Sequence, residues 1–312
     1  MKLITFKYKN NKNIFGIIED GHAVPIEKIW PNNKFPSNML EYLNNLNENK
    51  DILSQVISTL NPNNFPDLED VKLQSPILKP NSLRDAYAFK QHVEAGRKSR
   101  GLKMIEEYDK FPVYYYGNHN SIKGSGDVLL EKDKFINLDY ELEIAAVIGK
   151  KGKNIKVEDA DDYIMGYTIM NDFSARKIQK EEMKLSLGPA KGKDFLTTLG
   201  PCIVSKDELS DYLISDQDGE RYNLDMQAHL NNQLLSSDNF KNITWTFAQI
   251  ISHISIGTHV YPGDIIGSGT CATGCLLELN QTNNTEIWLK NSDVISLTVN
   301  GIGTLTNKIK II

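Results

Sequence analysis

Residues 138–150 read LDYELEIAAVIGK, in which alternating apolar and acidic side chains give way to a continuously apolar run. Alternation with a period of two is typical of a β-strand. One face of this strand would carry four apolar side chains, namely Leu138, Tyr140, Leu142 and Ile144. The other face would carry three carboxylates, namely Asp139, Glu141 and Glu143. Since residues 144–148 are apolar on both faces, we predict a strand that runs into the interior of a sheet.

The acidic face requires an explanation, because like charges two residues apart on one strand face repel one another. A solvated outer face is the ordinary explanation for such a pattern. The apolar run that follows favours another, in which Glu141 and Glu143, about 7 Å apart along the backbone, share one divalent cation. A hard ion such as Mg²⁺ or Ca²⁺ prefers carboxylate oxygens. We expect Asp139 to face solvent or a neighbouring polar group.

The composition is that of an ordinary globular protein. The chain has 312 residues, of which 40% are hydrophobic and 24% charged, enough for one large or two modest domains. The net charge of −5 comes from interspersed acids and bases, so we expect no nucleic acid partner. We also expect no membrane association, because no apolar run approaches membrane-spanning length and the first residues lack a signal-peptide core.

Cysteine and histidine are too few and too scattered to predict a zinc site. The three cysteines are Cys202, Cys271 and Cys275, and no CxxC pair occurs. An odd, small number of cysteines without a secretory signal indicates reduced thiols and a cytoplasmic location. The six histidines are single residues without an HxxxH pair. Any metal site in this chain would therefore use oxygen ligands.

The order of patterns predicts two domains. Residues 1–29 alternate like two or three antiparallel strands, residues 37–60 look helical, and an Asn/Pro-rich connector spans residues 61–82. We therefore predict a small N-terminal β-rich domain over residues 1–75 and a larger domain over residues 76–312.

The larger domain is predicted to consist mainly of short strands. Residues 83–101 have helical spacing, and one short helix is expected near residues 173–186. The other segments are β-like runs separated by Gly, Asp and Asn, among them CLLELN (275–280) and TEIWLK (285–290). The balance predicts a β-rich α+β protein dominated by mixed or antiparallel sheet.

Several polar side chains surround the predicted short helix. Asp172 ends the apolar run that precedes it and is either the N-cap of the helix or part of a polar wall with Arg176 and Gln179. A surface helix with an ordinary ion pair fits the same spacing. The following loop carries Lys191 and Lys193 between Gly and Pro residues. This loop is either mobile and basic or holds one lysine toward an anionic site.

A glycine-rich segment near the C-terminal end offers further candidates. In GSGTCATGC (267–275), Gly267, Gly269 and Gly274 flank Thr270, but the helix and lysine of a P-loop are missing. Glu278 follows within an apolar frame. It is either the solvent-facing residue of an alternating strand or a partner that orients a histidine.

Four separated segments, in this order, resemble the fumarylacetoacetate hydrolase family. LDYELEIAAVIGK (138–150) resembles the family's acidic strand, NDFSARKIQ (171–179) its third-ligand helix start, and KGKDFLTTLGPCIV (191–204) its lysine loop. YPGDIIGSGTCATG (261–274) is similar to the family's Gly-Asp…Gly-Thr segment. The resemblance covers most of residues 80–306. It implies a catalytic domain with a mixed β-sandwich or roll of this family's type, and a homodimer.

A fifth segment, RDAYAFKQH (84–92), is similar to the part of the true fumarylacetoacetases that supplies a further metal ligand and a catalytic histidine. The resemblance implies a site for Mg²⁺ or Ca²⁺, with Mn²⁺ as another option, that is formed by Asp85, Glu141, Glu143 and Asp172. It implies that His92 is a general base oriented by Glu278. If the helical spacing holds, Asp85 and His92 share one helix face about 10 Å apart.

The remaining implied contacts belong to the substrate. Tyr87, Tyr115 and Thr270 match substrate-contacting positions of the family. We expect Arg176, Gln179 and Lys193 to stabilise a developing oxyanion, a contribution of about 3 to 4 kcal/mol per donor. The activity so implied is hydrolysis of a carbon–carbon bond in a β-diketo acid such as fumarylacetoacetate, a reaction of tyrosine degradation.

Two alternatives remain open. A metal-dependent decarboxylase, isomerase or hydratase of 2-oxo acids would use the same cation and enolate chemistry. These reactions need no hydroxide nucleophile, so the pairing of His92 with Glu278 discriminates between them and the hydrolase. The other alternative is a non-catalytic β-rich protein whose acids hold a structural ion.

Overall fold

The computed structural model describes residues 1–9, 11–98, 101–132 and 134–312. The N-terminal part comprises β1 Lys2–Lys7, β2 Asn13–Glu19, β3 His22–Pro25, α1 Ile26–Ile29, α2 Met39–Asn44, α3 Leu46–Ile57 and β4 Lys72–Leu73. The middle part comprises β5 Leu83–Ala86, α4 Lys90–Lys98, β6 Tyr114–Gly117, β7 Ile122–Lys123, β8 Gly126–Leu130, β9 Leu138–Asp139, β10 Leu142–Ile148, β11 Gly152–Lys153, α5 Val157–Ala160, β12 Ile164–Asp172, β13 Ser174–Ala175, α6 Arg176–Glu182 and β14 Thr197–Ser205. The C-terminal part comprises β15 Leu213–Asp216, β16 Gly219–Tyr222, β17 Asp225–Leu230, β18 Gln233–Asn239, α7 Phe247–Ile254, β19 His259–Val260, β20 Ile265–Gly267, α8 Leu276–Asn283, β21 Val294–Val299 and β22 Gly303–Ile311.

A large central sheet organises the molecule. Its strand order is β3-β2-β1-β14-β12-β10-β20-β5-β6, with β4 beside β1 and β7 beside β14. Neighbouring strands are antiparallel except for β20 with β5 and β14 with β7. A second sheet has the order β18-β17-β21-β22-β8. The predicted β-rich α+β class, with mixed sheet, is confirmed.

The central sheet is covered on both faces, which explains the apolar run in residues 144–148. Ile144, Ala146 and Ile148 of β10 pack in one core with residues of the second sheet and α7. Ala145 and Val147 point to the other face and pack in a second core with residues of α2 and α3. A strand that is buried on both faces has a continuously hydrophobic sequence. The prediction that this strand enters the core is therefore confirmed.

The N-terminal strands and helices also follow the sequence patterns. β1, β2 and β3 form antiparallel pairs, and residues 37–60 contain α2 and α3. Asn38 begins α2 by accepting a hydrogen bond from the Glu41 amide. β1 also pairs with β14, so the N-terminal strands extend the central sheet. The division into domains at residue 75 stays a prediction.

The helical prediction for residues 83–101 is wrong over its first part. Residues Leu83–Ala86 form β5, which is paired with β20 on one side and β6 on the other, and the helix begins at Lys90. Asp85 and His92 therefore do not share a helix face. Backbone pairing with a strand on each side outweighs a weak helical spacing.

Two of the strands predicted near the C-terminal end are also wrong. CLLELN forms the start of α8, because the Asp139 carboxylate accepts hydrogen bonds from the Leu276 and Leu277 amides and so caps the helix from a distant strand. TEIWLK contributes an isolated bridge between Leu289 and Leu138 instead of a strand. Helix α7 was not expected from the sequence patterns. Within the described ranges, every helix falls short of the length and apolarity that a bilayer crossing requires.

Candidate metal centre

Four buried carboxylates converge on one point of the central sheet. Asp85 belongs to β5, Glu143 to β10 and Asp172 to the end of β12, whereas Glu141 lies in the irregular step between β9 and β10. Each offers a carboxylate oxygen that lies within 4.8 Å of the others. The structure thus brings together all four acids selected from the sequence, and we refer to them as the carboxylate cluster.

The sheet makes room for the carboxylate cluster at a glycine. Strand β20 lies between β10 and β5, and Gly267 is paired with Ala145 on one side and Asp85 on the other. A Cβ atom at position 267 would collide with Met170 Cε and Asp85 Oδ1, and it would lie 3.0 Å from Glu143 Oε2. Glycine is therefore needed at this position to leave space between two of the acids.

We expect Gly267→Ala to weaken divalent-ion binding by about 10- to 100-fold, the usual effect of disturbing the groups that support metal ligands. Titration calorimetry with Mn²⁺ measures this loss. Gly166→Ala is the matched control, because its Cβ would collide with the backbone of Val204 on a neighbouring strand. The control should lower the melting temperature with a smaller change in affinity. Wild-type affinity in Gly267→Ala would contradict the placement of Asp85.

The turn after β20 orients two of the acids. The Gly269 amide donates hydrogen bonds to Asp85 Oδ1 and Glu143 Oε2, both at 3.1 Å. Gly269 has a φ of +76°, which favours glycine. The Thr270 hydroxyl donates to Glu143 Oε1 at 3.3 Å. The GSGT segment therefore holds carboxylates and does not resemble a phosphate cradle.

Burial and mutual repulsion raise the pKa values of three of the four acids in the carboxylate cluster. Burial, followed by the charge of Asp172, raises the pKa of Asp85 to about 8. Burial and then the neighbouring acids raise the pKa of Glu143 well above its usual value, and burial raises the pKa of Asp172. Glu141 differs: burial raises its pKa, but Lys193 and Arg176 outweigh this effect and hold the pKa far below the usual range.

Arg176 connects Glu141 to the strand that precedes it. Its Nη2 donates to Glu141 Oε1 at 2.7 Å, its Nε to Asp139 Oδ2 at 2.8 Å, and its Nη1 to Gln179 Oε1 at 2.9 Å. The guanidinium is buried, so these are strong charge-assisted contacts. The polar wall of Arg176 and Gln179 therefore exists. Asp172 belongs to β12 instead, and the N-cap of α6 is Ala175, so the N-cap interpretation of Asp172 is wrong.

Lys193 reaches the same cluster from the loop that follows α6. Its ammonium group is buried and donates to Asp172 Oδ2 at 2.6 Å and to Glu141 Oε2. Burial lowers the pKa of Lys193, but the two carboxylates outweigh this effect and raise it above the usual value. Lys191, the other lysine of the loop, is exposed and pairs with Asp194 at 2.7 Å. Of the two open interpretations of the loop, the structure favours the one in which a lysine is held toward an anionic site.

His92 and Glu278 meet although 186 residues separate them. His92 Nδ1 lies 3.0 Å from Glu278 Oε2, and both side chains are buried. His92, Glu141 and Cys275 also offer ligand-type atoms within 4.8 Å of one another, so the imidazole lies beside the carboxylate cluster. The Tyr87 ring packs edge-on against the imidazole at a centroid distance of 5.8 Å.

Tyr115 is the member of the Tyr114–Tyr116 run that points into the site. Its hydroxyl donates a hydrogen bond to Asp172 Oδ2. Tyr116 is 64% exposed, and Tyr114 packs against His253. Residues of a strand alternate between the faces of the sheet, so a neighbour of Tyr115 cannot take its place.

The expectation for Asp139 left two alternatives, and the structure excludes solvent exposure. Asp139 is fully buried, contacts Arg176 and accepts the first amides of α8. It therefore links the guanidinium to the helix that carries Glu278. The sequence contained a signal for this burial, because Asp139, Glu141 and Glu143 alternate with apolar residues and would lie on the same face of a strand.

The donor set fits a hard divalent cation. All four members of the cluster offer carboxylate oxygens, which are the ligands that Mg²⁺, Ca²⁺ and Mn²⁺ prefer. Within the described ranges, neither Asp85 nor Glu143 forms an ion pair with a lysine or arginine. Two buried acids that repel each other and lack a cationic partner are stabilised when a cation binds between them.

The chain is similar to several proteins of known sequence or structure. A family model described as fumarylacetoacetate (FAA) hydrolase C-terminal matches residues 82–310. The chain is 31% identical to the oxaloacetate tautomerase YisK of Bacillus subtilis over 78% of this chain and 74% of that protein. It is 29% identical to the fumarylacetoacetase of Arabidopsis thaliana over 72% of this chain and 68% of that protein. The crystal structure of maleylpyruvate hydrolase from Sphingobium sp. SYK-6, in complex with manganese(II) and pyruvate, superimposes with a TM-score of 0.73 at 19% identity, covering 100% of this chain and 99% of that one.

Proposed function

Because the chain belongs to the fumarylacetoacetate hydrolase family, we propose that it is a divalent-metal-dependent hydrolase that cleaves a carbon–carbon bond in a β-diketo acid. The observation that carries the proposal is the buried contact of 3.0 Å between His92 Nδ1 and Glu278 Oε2 beside the carboxylate cluster. A carboxylate at Nδ1 fixes the imidazole tautomer with its proton on Nδ1, which leaves Nε2 as an acceptor for a proton from water.

The residues of the site divide the work of such a reaction. A divalent cation, when bound by Asp85, Glu141, Glu143 and Asp172, would act as a Lewis acid on the oxygens of a diketo acid. His92 takes a proton from water, and the resulting hydroxide attacks a carbonyl carbon. Arg176 and Lys193 are placed as cationic donors beside the cluster, where they stabilise negative charge on the substrate oxygens. The carbon–carbon bond then breaks and expels an enolate, which a proton converts to the ketone.

The proposed substrate, metal ion and metabolic pathway are those that the resemblance to the fumarylacetoacetate hydrolase family implies. Fumarylacetoacetate or a related acylpyruvate is the proposed substrate, in tyrosine or other aromatic amino acid degradation. Mg²⁺, Ca²⁺ or Mn²⁺ is the proposed ion, and the manganese complex of the Sphingobium enzyme supports the last of these. Tyr87, Tyr115 and Thr270 line the site as proposed substrate contacts. A cytoplasmic homodimer is proposed from the same resemblance.

A second candidate function is tautomerisation of a 2-oxo acid such as oxaloacetate. The observation that favours it is the 31% identity to the Bacillus subtilis tautomerase. Tautomerisation moves a proton between carbon and oxygen, so it needs the cation and one acid–base group but no attacking hydroxide. The same carboxylate cluster would serve both reactions.

The two functions are separated by assaying both reactions with one protein sample. We expect the metal-loaded protein to cleave an acylpyruvate, with two carboxylic acid products identified by mass spectrometry, and chelation to stop the cleavage without unfolding the chain. Readdition of Mg²⁺ or Mn²⁺ should restore it. Keto–enol exchange of oxaloacetate, followed by ultraviolet absorbance, is the parallel assay. Exchange without any cleavage across a panel of diketo acids would establish the second function instead.

A further inference from the structure

Glu182, at the C-terminal end of α6, binds the backbone of the loop that carries Lys193. Its Oε2 accepts hydrogen bonds from the amides of Ala190 at 3.1 Å and Gly192 at 3.0 Å, and its Oε1 accepts from the Lys191 amide at 2.7 Å. Three consecutive amides therefore converge on one carboxylate in charge-assisted hydrogen bonds. Glu182 is not among the residues that the metal centre or the proposed reaction uses.

Gly192 holds the same loop a second time, through the residue that precedes α6 and through Gln179 within it. Its carbonyl accepts a hydrogen bond from the Ala175 amide at 2.8 Å. A Cβ atom at position 192 would lie 2.8 Å from Gln179 Cα, so the loop backbone rests directly against the helix. The loop is thus held on both sides of Gly192, one residue before Lys193.

The position of the loop decides where the Lys193 ammonium group lies. Lysine has a long, flexible side chain that loses much conformational freedom when it is buried. Lys193 is nevertheless 5% exposed and contacts Asp172 and Glu141. A backbone anchored at the preceding residues lowers the entropy cost of this arrangement. These two carboxylates also belong to the cluster proposed to bind the cation.

We propose that Glu182 is a positioning residue that latches the loop of residues 190–194 against α6, and that the latched Lys193 competes with the divalent cation for Glu141 and Asp172. The proposal rests on the metal-dependent function proposed above. The Lys193 ammonium group takes up acceptor sites on Glu141 Oε2 and Asp172 Oδ2, and its positive charge opposes the approach of a divalent cation to the same oxygens. The latch therefore sets the cation affinity as well as the place of a cationic donor to the substrate.

The latch predicts opposite effects on binding and turnover. Glu182→Ala leaves three amides without their acceptor, so the loop loses its register and Lys193 spends less time in the cluster. Cation affinity should then rise by about 5-fold or more, the lower end of typical coupling between sites. Turnover should fall, because the donor is misplaced. A merely structural defect would weaken both.

The test is a Mn²⁺ titration by calorimetry of protein freed of metal by a chelator. Lys193→Met should give the full increase in affinity, and Glu182→Ala should add nothing in the Lys193→Met background. Glu182→Gln and Gly192→Ala are further variants that disturb the latch if Glu182→Ala fails to fold. Glu181→Ala is the matched control, because Glu181 pairs with Lys184 on the surface at 2.6 Å and should leave the affinity unchanged.

The Mn²⁺ affinities of these variants either support or refute the role proposed for Glu182. If Glu182→Ala binds Mn²⁺ no more tightly than Glu181→Ala, or if its effect persists in the Lys193→Met background, the latch is refuted. If affinities follow the predicted pattern but no variant turns over any diketo or oxo acid, the latch stands and the proposed function fails.

Discussion

Replacement of His92 by alanine is expected to abolish cleavage of a β-diketo acid while divalent-ion binding stays at its wild-type level. The imidazole lies beside the carboxylate cluster but is not one of the four acids that converge there. Its role is to accept a proton from water, and loss of a general base typically slows a reaction by about 10²- to 10⁴-fold. Turnover assays and Mn²⁺ calorimetry on the same samples measure the two quantities.

Glu278→Gln provides the second arm of this experiment. The amide at position 278 cannot hold His92 Nδ1 as a carboxylate does, so turnover should fall here as well. The double variant should be no slower than His92→Ala, because the two groups act as one unit. His229→Ala, on β17 of the second sheet, is the matched control. Wild-type turnover in His92→Ala would show that another group acts as the base.

Replacement of Glu143 by glutamine is expected to weaken divalent-cation binding without lowering the melting temperature of the metal-free protein. Burial and the neighbouring acids raise the pKa of Glu143, so ionisation of this carboxyl group is unfavourable in the metal-free fold. Glutamine keeps the shape and removes this charge, and the metal-free variant should melt at or above the wild-type temperature. Cation affinity should fall by more than the roughly 10- to 100-fold typical for loss of a supporting group, since a ligand itself is lost.

Glu141→Gln, in contrast, should lower the melting temperature of the metal-free protein. Its carboxylate pairs with both Arg176 and Lys193, and removal of one partner of a buried ion pair typically costs about 3–5 kcal/mol. Thermal unfolding in chelator, followed by Mn²⁺ calorimetry, compares the two variants. Equal melting temperatures for Glu141→Gln and Glu143→Gln would contradict the charge distribution derived for the cluster.

Three of the four members of the carboxylate cluster lie in strong local sequence patterns. Glu141 precedes and Glu143 begins a strand whose next residues are apolar on both faces, and Asp172 ends another buried strand. Such runs are typical of strands in the middle of a covered sheet. Asp85 and the His92–Glu278 pair depended on the family resemblance, because they lie far apart in the chain and no local spacing relates them.

The errors concern segments whose conformation is decided by distant partners. β5 is a strand because β20 and β6 pair with it, and the start of α8 is helical because Asp139 caps it. Neither partner is near in sequence. Helix α7 is different, since Thr246 and Gln249 form a capping box that is readable from the sequence. The prediction for the larger domain leaves this signal out and expects mainly strands.

The strand order of the central sheet also determines when the cluster comes into existence during protein synthesis. Asp85 and Glu143 leave the ribosome long before Ile265–Gly267, the strand that joins β5 to β10 and sets the two acids side by side. A nascent chain therefore carries these carboxylates without a place for an ion between them. Because such distant pairings form late in folding, the carboxylate cluster is complete only when this part of the sheet has formed.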